Sequence, residues 1–90
     1  RISDMIIRYS DKATKQLKRI LKGSRPSASD IIATIEAYGE NPTGNFDVKL
    51  LKGKYGDFKR LRVGQYRIIF DEMRQVMTIY EIIASAGGLS

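Results

Sequence analysis

The sequence predicts a two-layer α+β domain, with an N-terminal strand and an antiparallel helical hairpin packed on a twisted, mainly antiparallel sheet. Three observations carry this expectation. Apolar residues recur at helical spacing in two consecutive stretches, with short extended runs before and after them. Gly64-Gln65 separates two strand-like runs, as a two-residue hairpin loop does. Two helices with a short connection cannot bury both apolar stripes against each other, so the stripes need a sheet. Ninety residues give room for one core, and residues 1–90 read as a single domain.

The elements follow in order. Met5 to Tyr9 is a short apolar run and reads as a strand. Ser10 can cap a helix, with Asp11 in the first turn where the helix dipole favours an anion. Ala13, Leu17, Ile20 and Leu21 make its apolar stripe; Lys12, Lys15, Lys18, Arg19 and Lys22 lie elsewhere, as on a solvated face. Gly23-Ser24-Arg25-Pro26 is expected to end this helix, and Ser27 or Ser29 to start the next. Ala28, Ile31, Ile32, Ile35 and Tyr38 form the second stripe, which Gly39-Glu40-Asn41-Pro42 stops. Val48 to Leu51 reads as a strand and Lys52 to Asp57 as a loop that lacks the P-loop pattern. After the hairpin, Asp71 to Gln75 turns the chain and Val76 to Ile83 makes a last strand. The small-residue tail from Ala84 to Ser90 has little order of its own.

The hairpin organises the rest. Glycine at the first central position suits a type II′ turn. The turn then sets Val63 opposite Tyr66, Arg62 opposite Arg67, Leu61 opposite Ile68 and Arg60 opposite Ile69. Alternation sends Leu61, Val63, Tyr66, Ile68 and Phe70 to one face, and Arg60, Arg62 and Arg67 to the other with Phe58 and Ile69. Like charges on neighbouring strand positions destabilise a sheet, so three arginines together point to an anionic partner. Between Lys49 and Arg67 lie seven basic residues and one acidic, Asp57, a net +6 equal to that of the whole chain. The positive field is therefore local, as on a phosphate-binding surface.

Composition excludes several classes. There is no cysteine, so disulfides and thiol chemistry are absent, as suits a reducing cytoplasm. There is no histidine, which removes imidazole acid–base chemistry and, with no dense carboxylate cluster, argues against a metal or other cofactor. No apolar run approaches the ~20 residues of a membrane span, and no signal peptide is visible. A pI near 9.8 makes nucleic acid or an acidic protein the expected partner.

Leu51-Lys52-Gly53 followed by Arg60-Leu61-Arg62-Val63-Gly64-Gln65-Tyr66-Arg67 resembles the Leu-Lys-Gly and Arg-Leu-Arg-Val-Gly-x-Tyr-Arg signatures of the RelE/ParE superfamily, toxins of bacterial and archaeal toxin–antitoxin pairs. The surrounding pattern of strand, two helices and terminal strand agrees over nearly the whole chain. The resemblance implies a RelE-like fold and a cognate antitoxin protein that holds the toxin inactive. In the RelE branch it implies cleavage of mRNA on the ribosome, by attack of a ribose 2′-hydroxyl on the adjacent phosphate. Basic residues do the work of the usual histidines there. On matched positions, Arg67 would contact the scissile phosphate, and Arg60 and Arg62 would steady the phosphorane and neighbouring phosphates. Lys49, Lys52, Lys54 and Lys59 would bind RNA backbone, and either Lys59 or Arg60 could take the place of a catalytic lysine.

One departure stands at the end. RelE-type members usually follow the last strand with an arginine and then a tyrosine. Here Ala86 occupies the arginine's place and no tyrosine follows before Ser90. A detoxified variant, a branch with an altered or absent nuclease, and a sequence stopping short of the final residues all fit. The alternative implied function is a ParE-like inhibitor of DNA gyrase that acts by binding. A third is a binding module that retains only antitoxin affinity.

Overall fold

The computed structural model describes residues 5–53 and 56–85. In chain order it forms β1 (Ile6–Tyr9), α1 (Asp11–Gly23), α2 (Arg25–Glu40), β2 (Val48–Gly53), β3 (Gly56–Val63), β4 (Tyr66–Met73) and β5 (Val76–Ala84). The strands make one sheet in the order β1-β5-β4-β3-β2. All neighbours are antiparallel except β1, which runs parallel to β5. A parallel neighbour needs a crossover, and the α1–α2 hairpin is the first part of it. Both helices lie on one face of the sheet. There Ala13, Ile31, Ile35 and Tyr38 close over Leu61, Ile68, Phe70, Met77, Ile79 and Ile82.

Local chemistry explains most of the boundaries. The Ser10 hydroxyl accepts from the Ala13 N–H at 3.0 Å, the bond expected of an N-cap. The junction between the helices is tighter than the sequence suggests. Ser24 ends α1 and also caps α2, its hydroxyl accepting from the Ser27 N–H at 3.3 Å. The second helix therefore starts at Arg25 and not at Ser27 or Ser29. Pro26 falls in its first turn, where a missing N–H costs nothing.

The two long hairpins have different turns. Gly64 has φ +58 and is the one positive-φ residue of its turn, as type II′ requires. The β3–β4 register matches every pair expected from it: Val63 with Tyr66, Arg62 with Arg67, Leu61 with Ile68, Arg60 with Ile69. The expected turn from Asp71 to Gln75 shrinks to Arg74-Gln75, because Asp71, Glu72 and Met73 pair with Thr78, Met77 and Val76. The two ends of the stretch expected as a loop are likewise strand, Lys52 and Gly53 pairing with Asp57 and Gly56, while residues 54 and 55 lie outside the described residues. Arg74 and Gln75 both have positive φ, at 52 and 68, the type I′ pattern that Asn-Gly fills best. Arg74→Asn with Gln75→Gly is expected to stabilise the domain by about 1 kcal/mol, relieving left-handed strain on two side-chain-bearing residues. The check is a rise in the urea midpoint with an unchanged slope.

Candidate nucleic-acid interface

No described element covers the sheet face opposite the helices. Alternation places Arg8 of β1, Lys49 of β2, Arg60 and Arg62 of β3, and Arg67 of β4 on it. The structure thus brings the three candidate catalytic arginines to one surface, with Lys49 beside Arg60. Val63 and Tyr66 close the two-residue turn, so Arg62 and Arg67 occupy the narrow, non-hydrogen-bonded position. Their Cα atoms there lie about 4.5 Å apart. The Arg62 N–H accordingly points away, donating to the Asp47 carbonyl at 3.0 Å. The Arg62 Nε makes only a long contact of 3.5 Å with the Gly64 carbonyl. Among the described residues the side chains of Arg67 and Lys49 have no hydrogen-bond or ion-pair partner, and both residues are exposed. Two arginines paired directly across the ladder with so little neutralisation make a strong local attraction for an anion.

Arg60 differs from the other two. Its side chain is only 11% exposed and pairs with the Asp47 carboxylate at 2.9 Å, while its Nε is buried with no partner among the described residues. A buried donor left unpaired costs roughly 1–3 kcal/mol. The carboxylate lies on the same open face, so the pair is not tucked beneath the helices. Arg60 is the least available of the three cations to a phosphate.

The lysines divide. The alternation that turns Arg60 outward turns Lys59 to the helix side, away from the arginines with which it was expected to bind RNA. Its ammonium donates to Glu72 at 3.2 Å, and the Tyr38 hydroxyl donates to the same carboxylate. Lys52 alternates to the side opposite Lys49 and is exposed beyond the helices. Lys54 and Ala86 lie outside the described residues.

Sequence reasoning missed a bulge in β5. Ile69 pairs with Glu81 and Phe70 with Ile79, so Tyr80 is the extra residue. Ile79 and Ile82 both stay buried, and Tyr80 and Glu81 both turn to the arginine face. Beyond Tyr9 the first strand no longer pairs with β5, and side chains from the α1 end of the chain take over. The Ser10 hydroxyl donates to the Tyr80 carbonyl at 2.9 Å, and Gln16 Oε1 accepts the Ile82 N–H at 2.7 Å. Strict alternation after Met77 and Ile79 would have buried Glu81, and that conflict was the available signal. The carboxylates here are engaged: Glu81 pairs with Lys12, and Asp71 accepts from the Tyr80 hydroxyl at 2.8 Å. Among the described residues no three histidine, cysteine, aspartate or glutamate side chains come together as metal ligands.

Three tyrosines resist ionisation. Burial, and then the bond to Glu72, push Tyr38 well above the ordinary value of 10.0. Burial and the Glu36 charge raise Tyr9; the bond to Asp71, followed by burial, raises Tyr80. A raised folded-state value means that the fold keeps protons the unfolded chain releases above pH 10. The contribution of these tyrosines to stability is therefore fully present below about pH 10 and falls as pH rises further. Urea midpoints across this range are expected to decline, and more gently in Tyr38→Phe.

No protein-family model matches the chain, and no curated protein matches it by sequence. Solved structures do. A chain of the archaeal RelE–RelB complex from Pyrococcus horikoshii OT3 superposes with a TM-score of 0.75 at 20% identity, covering 91% of this chain and 96% of that one. The YoeB dimer from Staphylococcus aureus gives 0.73 at 15%, covering 86% and 92%. The YoeB/ParE toxin from Agrobacterium tumefaciens gives 0.74 at 12%, covering 89% and 98%. The strand, helical hairpin and mixed sheet of this chain are the RelE-like fold.

Proposed function

We propose that this chain, which carries the fold of RelE/ParE-superfamily toxins, is the toxin of a toxin–antitoxin pair and an RNA-cleaving one. The observation that carries the reading is the Arg62–Arg67 pair on a sheet face that no described element covers. Arg67 contacts the scissile phosphate; Arg62 and, behind it, Arg60 stabilise the charge that develops as the 2′-hydroxyl attacks. Lys49 holds the neighbouring backbone. The fold match to a RelE–RelB complex supports a protein antitoxin, and the local positive field supports an acidic or amphipathic segment that covers the arginine face. The chain acts in the cytoplasm on ribosome-bound message. No helix among the described residues is long and apolar enough to cross a membrane.

A second reading is favoured by Ala86 alone. A chain without the family's terminal arginine could inhibit DNA gyrase by binding, as ParE-like toxins do. The discriminating experiment uses programmed ribosomes and a supercoiling assay in parallel. Message cleavage, stronger in Ala86→Arg and abolished by adding Arg67→Ala, supports the nuclease. Inhibition of supercoiling with no cleavage by either protein supports the gyrase reading.

A further inference from the structure

We propose that Phe58 and Tyr80 form a stacking seat for one base of a single-stranded RNA whose phosphates lie on the arginine pair. The seat rests on the RNA reading above and names a base-binding position that the arginines do not supply. The two rings stand on the face that no described element covers, opposite the core. They meet edge to face, with centroids 5.4 Å apart and planes at 87°. They come from β3 and β5, which are not neighbours, and reach each other across β4. The bulge makes this possible by turning Tyr80 outward.

The arrangement is held from two sides. The Ser10 hydroxyl ties the Tyr80 carbonyl, and the Tyr80 hydroxyl is tied to Asp71. A ring fixed before its ligand arrives loses little freedom on binding. Phe58, Ile69 and Tyr80 line an open groove of about 510 Å³ together with Ser10, Lys12 and Glu81. Its lining is mostly apolar, while Arg60 lies directly across from Ile69. Arg67 precedes Ile69 by two residues on the same face, about 7 Å along the strand and within the span of one nucleotide. Charge selects the occupant. An apolar slot on the sheet face that carries Arg62, Arg67 and Lys49 suits a flat ring attached to a phosphate chain, and aromatic platforms with basic tracks bind single strands this way. Lys12 pairs with Glu81 in the groove lining, which offsets that carboxylate's repulsion of an anionic strand.

The test measures binding of a fluorescein-labelled RNA hexamer, methylated at every 2′-oxygen to prevent cleavage, and of the same hexamer lacking one internal base. For the native chain, removing the base is expected to weaken binding about tenfold. For Phe58→Leu with Tyr80→Leu, the same removal is expected to change affinity by less than about twofold, with the salt dependence kept. A hexamer carrying 2-aminopurine gives a readout that needs no variant: the native chain should quench its fluorescence on binding. Arginine-dependent binding with equal base dependence in both proteins and no quenching overturns the seat and leaves the RNA reading standing. Absence of binding by the native chain overturns both.

Discussion

Arg67→Ala is expected to lower affinity for single-stranded RNA by about tenfold or more while leaving the fold as stable as before or slightly more so. A charge-assisted bond to phosphate contributes roughly 1.5–3 kcal/mol, and every 1.4 kcal/mol is a factor of ten. The slope of log affinity against log salt should fall by about 0.7, one phosphate contact on a single strand. The opposite sign for stability follows from register. Arg62 and Arg67 face each other with no carboxylate between them among the described residues, and like charges directly opposed destabilise a sheet. Lys59→Ala should invert the pattern. Glu72 loses its ammonium partner on the helix side, so stability falls, while RNA affinity hardly moves. Fluorescence anisotropy and urea unfolding on the same two variants check both halves.

Phe70→Ala is expected to cost about 3–5 kcal/mol. Phe70 is fully buried in β4 and stands edge-on to Tyr38, with centroids 5.2 Å apart; Tyr38 stands edge-on to Phe46 at 5.4 Å. The ring thus lies in the core between β4 and α2. A domain this small has roughly 5–15 kcal/mol in total, so the variant should be partly unfolded at 37 °C, if not at 25 °C. Phe70→Leu keeps most of the volume and should cost less than half as much. Thermal melts followed by circular dichroism distinguish the two.

The two predictions differ in how far the sequence revealed their grounds. The hairpin was legible because its information is local: a glycine at one turn position fixes the pairing of the eight residues around it. The cap at Ser10 and the stop at residues 39–42 were legible for the same reason. Pro26 was ambiguous, since proline both follows a helix end and occupies a helix start, and Ser24 serves both ends at once. The face of Lys59 was already implied by alternation with Arg60, but its charge and its place in a basic run suggested otherwise. Glu72 and Tyr38 make the inward position tolerable, and they are distant in sequence. The same distance hid the parallel pairing of β1 with β5, the partnership of Arg60 with Asp47, and the support that Ser10 and Gln16 give to the β5 bulge. Such contacts depend on where whole elements come to rest, not on any short motif.

The most direct measurement is a nuclear magnetic resonance titration of the arginine side-chain Nε–H signals with the methylated RNA hexamer. The Arg62 and Arg67 signals should shift first and furthest, with Arg60 following, while Arg19 on α1 and Arg25 on α2 stay in place. Shifts confined to Arg19 and Arg25, with Arg62 and Arg67 unmoved at saturation, would mean that the RNA binds the helical layer and that the open sheet face is not its surface.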